Sequence, residues 1–204
     1  MSMTSRAQLQ DRYDPIGNFL GWLNENEIQA VGDNDSHAGA SFVSLGAVKS
    51  YLERNHRDRL TDILNALFED SGGPDHTDLL SNYLAVFCIL LQIGRGRFIK
   101  HFVDHEIHDL YEFSPEHIPP KFPSVPGDEE FYQRFCEAQW RFCVPDFKEN
   151  MNRVFHDRRT LPIVEKQPVA TGGSAQVFTI KIHKSYDKLR GTVRLLLIKV
   201  HPLD

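Results

Sequence analysis

The sequence predicts an α+β chain, a helical N-terminal domain followed by a small antiparallel sheet. Three observations carry this. Apolar residues recur at helical spacing through the first half. Prolines crowd between positions 114 and 127. The last forty or so residues read as strand, glycine turn, strand, polar hairpin, strand.

The first helix is marked by Ile16, Phe19, Leu20 and Leu23 on one face. The turn-forming run Gly32 to Gly39 closes it. Ser44 is placed to cap the next helix, whose face runs through Val48, Tyr51 and Leu52. The face continues through Leu60, Ile63, Leu64, Leu67 and Phe68 after a break near Asn55. Ser71 to Asp75 is a turn that carries the next cap. Residues Leu79 to Ile93 are apolar on nearly every side, which predicts a central buried helix. Gly94-Arg95-Gly96-Arg97 interrupts it, and Phe98 to Leu110 resumes with a charged outer face.

Pro115, Pro119, Pro120, Pro123 and Pro126 cannot continue a helix and favour extended backbone, so 113–127 reads as a semi-rigid linker. Residues 128–160 read as connecting helices. One carries Phe131, Phe135, Ala138 and Phe142, and a shorter one runs from Lys148 to about Arg158. The divisions are thus 1–112 helical domain, 113–127 linker, 128–160 connecting helices and 161–204 strands.

Composition sets limits. The chain has 204 residues, 41% hydrophobic and 25% charged, an ordinary globular mixture. The formal charge of -5 argues against a broad nucleic-acid footprint. Cys88, Cys136 and Cys143 do not form a disulfide framework and read as buried thiols. The N-terminus lacks an apolar signal core. The longest apolar run, Leu84 to Leu91, falls well short of the roughly 20 residues that span a bilayer. The expectation is a cytoplasmic protein that engages neither membrane nor nucleic acid.

The chemistry-bearing stretch is Val169 to Val177, Val-Ala-Thr-Gly-Gly-Ser-Ala-Gln-Val, between two strands. A phosphate-cradling loop needs inward-pointing amides and side chains small enough for phosphate to approach. The protein-kinase loop is G-x-G-x-x-G-x-V, followed by a lysine at the end of the third strand. In that register Ala170, Gly172 and Ala175 take the three glycine positions and Val177 the valine. Leu196-Leu197-Ile198-Lys199 stands where the lysine strand ends.

At these residues the chain resembles the N-terminal portion of fungal protein-kinase-like proteins. The lead-in Leu161-Pro162-Ile163 and the strand end Lys181-Ile182-His183 belong to the same likeness, which is clearest over residues 139–200. The resemblance implies an incomplete kinase N-lobe. Gly172, Gly173, Ser174 and Val177 would cover the phosphates and adenine of ATP, and Lys199 would contact the α- and β-phosphates. Magnesium would enter only with the nucleotide.

The departures from the pattern define the expected activity. Alanine at two glycine positions restricts the backbone, so ATP is expected to bind weakly or not at all. The chain carries no catalytic-loop aspartate or metal-binding Asp-Phe-Gly after the loop. His56-Arg57-Asp58 and Asp146-Phe147 imitate those motifs but precede it, in the wrong order. The expectation is a serine/threonine-type kinase fragment, truncated before the catalytic loop and inactive by itself. The alternative is a non-enzymatic module whose helical domain binds a protein partner beside a vestigial strand segment.

Other constellations carry less. His101, His105 and His108 would share a helix face, the basis of a distant metal-site reading. Pro120 to Pro126 contains overlapping P-x-x-P steps that could dock in an aromatic groove. Three strands without further sheet partners would leave an unpaired edge and an uncovered apolar face.

Overall fold

The computed structural model describes residues 13–31, 40–53, 58–69, 72–109, 113–149, 151, 155, 158–172, 175–189 and 195–198. The fold is α+β, as its pattern predicts. Helix α1 spans Pro15–Glu25. The Asp14 carboxylate accepts from the amides of Ile16 and Gly17 at 3.1 and 2.9 Å, with Pro15 in the first turn. Helix α3 (Arg59–Phe68) and helix α4 (His76–Asn82) start the same way, on Asp58 and Asp75. Helix α2 (Leu45–Glu53) does not. The Ser44 hydroxyl, expected as its cap, donates instead to Ser185 at 3.0 Å.

The central apolar stretch is two helices. α4 ends at Asn82 and α5 (Leu84–Gln92) begins after Tyr83, whose φ of -130° and ψ of 15° are not helical. The expected single helix is broken by Asp109. Its carboxylate accepts from the amides of Ala85 and Val86 at 2.9 Å each, and its own amide donates to the Asn82 carbonyl at 2.9 Å. A cap borrowed from a distant residue replaces local continuity. Helix α5 is buried from Leu84 to Leu91. It stops at Gly94, which has a φ of 70°. The amides of Gly94 and Arg95 reach back to the carbonyls of Leu91 and Leu90, the Schellman arrangement.

Helix α6 covers only Ile99–Asp104, so the expected helix to Leu110 ends early. Glu106 turns the chain with a φ of 58°, and the Ile107 amide donates to the Phe102 carbonyl at 2.9 Å. That turn delivers Asp109 to the start of α5.

The proline passage lies along the helical body. Phe113, Phe122 and Val125 pack into the same core as α1 to α6, together with Phe131 and Phe135 of α7 (Phe131–Ala138). Ring centroids lie 4.8 Å apart between Phe113 and Phe135 and 5.1 Å between Phe122 and Phe131. The Tyr132 hydroxyl sits 2.7 Å from the Ser114 carbonyl oxygen and 2.6 Å from that of His117, able to donate to one at a time. Asp128 receives Arg95 and Arg134. Pro123 is buried while Pro120 and Pro126 are exposed, so the P-x-x-P steps do not offer both prolines outward.

Among the described residues the expected helix from Lys148 is not formed. Phe147–Lys148 form a short strand, β3, and described residues 149, 151, 155 and 158 are not helical. β3 pairs in parallel with β6 (Asp187–Lys188), and the Phe147 amide donates to the Tyr186 carbonyl at 2.8 Å.

The main sheet is β4 (Ile163–Gly172), β5 (Ala175–Ile182) and β7 (Leu195–Ile198), antiparallel and in that order. Its inner end is covered. Ile163, Ile180, Ile182 and Tyr186 form a second core with Ala30 and Phe42. Those two belong to the β1 (Ile28–Gln29) and β2 (Ser41–Phe42) region. The Val31 amide donates to the Ile163 carbonyl at 2.8 Å. On β4, Pro168 and two register shifts interrupt the ladder, features that discourage edge pairing.

Candidate functional site

The glycine segment forms a tight hairpin. Gly172 pairs with Ala175, Ala170 with Val177, and Pro168 with Phe178. On its other side β5 pairs Val177 with Leu197 and Gln176 with Ile198. Gly172 and Val177 therefore lie on one hairpin, and the third strand ends beside its turn. Gly173, Ser174 and Lys199 fall outside the described residues. Lys166 lies over the Phe178 ring, 4.2 Å from its centroid.

The three histidines do not share a helix. His101 and His105 stack with ring centroids 4.1 Å apart, but His108 lies past the end of α6. His101 Nε2 lies 2.8 Å from the Lys121 carbonyl and His105 Nδ1 lies 2.9 Å from that of His101. These imidazoles pin local backbone. Among the described residues no group of three His, Cys, Asp or Glu side chains could hold a metal ion. The two imitation motifs have structural places, with Asp58 capping α3 and Phe147 in β3.

A second site was not legible in sequence. A cavity of about 740 Å³ opens between the helical body and the β3–β6 pair. Leu45 and Gly46 of α2, Ala85 of α5, Phe142, Val144 and Pro145 supply apolar wall. Asp109, Asp146, Lys148, Glu149, Arg159 and Ser185 supply polar groups. Tyr186 anchors the joint, as its hydroxyl accepts from the Leu45 amide at 3.3 Å and donates to the Val43 carbonyl at 3.2 Å.

Burial dominates the electrostatics here. It pushes the Asp109 carboxyl up to about 6, against the backbone amides of Val86 and Ala85 that hold it down. It also pushes Tyr186 and Cys143 up to about 12 each, so neither is a ready nucleophile or base. A carboxyl raised by desolvation and lining a cavity is the kind of group that marks functional sites. In sequence Asp109 is one more charge in an acidic and histidine-rich run, and no local signal separates it from its neighbours.

The chain matches no family model, and no curated protein or solved structure is similar to it.

Proposed function

We propose that residues 161–204 carry the nucleotide-covering strands of a protein-kinase-like lobe, set on a helical body, and that this stretch of chain does not transfer phosphoryl groups by itself. What supports the reading is the register of the three strands. The hairpin closes at Gly172 and Ala175, and Ile198, which precedes Lys199 in the chain, pairs with Gln176 at the same end. A lysine that follows such a strand is suited to meet phosphates held under the turn. Positioning and metal-borne charge neutralisation drive phosphoryl transfer, and the chain has no aspartate in the catalytic-loop or metal-binding context that supplies them. ATP is the ligand, bound weakly, with magnesium carried by its phosphates.

The test is a thermal-shift titration with Mg-ATP. The chain is expected to gain stability with increasing Mg-ATP, and Lys199→Met is expected to lose most of that gain without a change in its own melting temperature. No shift in the parent chain, or an equal shift in the variant, refutes the reading.

A further inference from the structure

Arg159 lines the cavity beside Tyr186. The buried Nε of Arg159 has no hydrogen-bond partner, and among the described residues no ion pair reaches this guanidinium. Its contact is the Phe155 ring, 5.7 Å from the centroid. Two other arginines also leave Nε unbonded, but each spends its terminal nitrogens on an acceptor. Arg134 binds Asp128, and Arg141 binds Glu27 and Asn24. The Nε is enclosed, so a ligand in the cavity would meet the terminal guanidinium nitrogens of Arg159, which lines its wall.

The carboxylates on the same walls do not fill that role. Asp109 is committed to the amides of Ala85 and Val86. Asp146 lies 3.9 Å from Lys148, and the third wall carboxylate, Glu149, has a contact of its own. We propose that this cavity binds a small organic anion, an apolar body bearing one carboxylate or phosphate that pairs with Arg159. The size suits it, since small-molecule pockets run to roughly 300–1,000 Å³. A guanidinium matches the planar, two-oxygen edge of either anion.

Asp109 gives the site a pH dependence. Around it stand Tyr83, His108, Cys88 and Cys143, and the cavity adds Asp146, Lys148, Glu149, Arg159 and Tyr186. An ionised Asp109 repels an incoming anion. Protonation as pH falls through about 6 removes that repulsion.

The experiment follows backbone amide shifts of the full chain during titration with benzoate, phenyl phosphate and benzylamine. Benzoate or phenyl phosphate is expected to move the amides of Gly46, Ala85 and Ser185 saturably, and the stronger of the two identifies the anionic group. Benzoate is expected to bind more tightly below the Asp109 midpoint than above it, with that slope lost in Asp109→Asn. Arg159→Met is expected to weaken binding about tenfold or more. Tighter binding of benzylamine than of both anions overturns the proposal, and this comparison needs no variant. Absence of shifts at the cavity amides with both anions overturns it equally, as does unchanged binding in a folded Arg159→Met.

Discussion

Asp109→Asn should reverse its effect on stability between acidic and neutral pH. In the parent chain this carboxyl rises from 3.8 to about 6 on folding, because burial outweighs the amides that bond it. The folded state therefore prefers the protonated form. Stability is unaffected by this group below about pH 4, falls as pH rises toward 6, and stays lower above it. A shift of about 2 units corresponds to about 3 kcal/mol at pH 7. Asparagine removes the charge and keeps one carbonyl acceptor for the α5 amides. Losing the second acceptor costs about 1 kcal/mol. The variant is thus expected to be about 1 kcal/mol less stable near pH 4 and about 2 kcal/mol more stable near pH 7. Urea unfolding at a series of pH values measures both ends. A difference between the proteins that does not change with pH would refute the reasoning. So would a variant that grows steadily worse as pH rises, since the amide bonds would then outweigh burial.

Two further outcomes test the packing. Tyr186→Phe removes the hydroxyl that joins the Val43 carbonyl and the Leu45 amide, and should cost about 1–3 kcal/mol in urea unfolding because both backbone groups lose a partner; no loss would mean the joint is held by apolar contact alone. Gly94→Ala forces a side chain onto a residue with a φ of 70° and should cost about 1 kcal/mol or more, read as a lower unfolding midpoint at unchanged slope.

Local chemistry explains what was legible in the sequence. Asp75, in the turn marked by Ser71 to Asp75, sits immediately before the helix it caps. Gly94 follows the last turn of α5 and ends it. The hairpin at Gly172 and the third strand also follow from local pattern. What was hidden depends on partners distant in the chain. Nothing near Tyr83 announces a helix break, since Asp109 imposes it from outside. Ser44 looks like a cap, but Ser185 takes its hydroxyl. Lys148, where a helix is expected to start, is a strand residue because Asp187–Lys188 offer a strand to pair with. The proline passage reads as a spacer because prolines are conspicuous, yet Phe113 and Phe122 between them hold it against the helices.

The same distinction divides the candidate sites. A glycine turn and a following lysine are close in sequence, so the nucleotide reading could be formed from residues alone. The cavity draws on α2, α5, residues 142–148, Arg159 and the Ser185–Tyr186 turn. No spacing rule gathers those positions. Its charge balance becomes visible only when Asp109 is found bonded to amides and Arg159 is found without an acceptor.

The most direct measurement is an amide-shift map of the chain on titration with Mg-ATP. The account predicts saturable changes centred on Thr171 to Val177 and on Ile198 to Lys199, with α1 to α6 unmoved. Changes confined to the helical body, or a silent hairpin at saturating nucleotide, would contradict it.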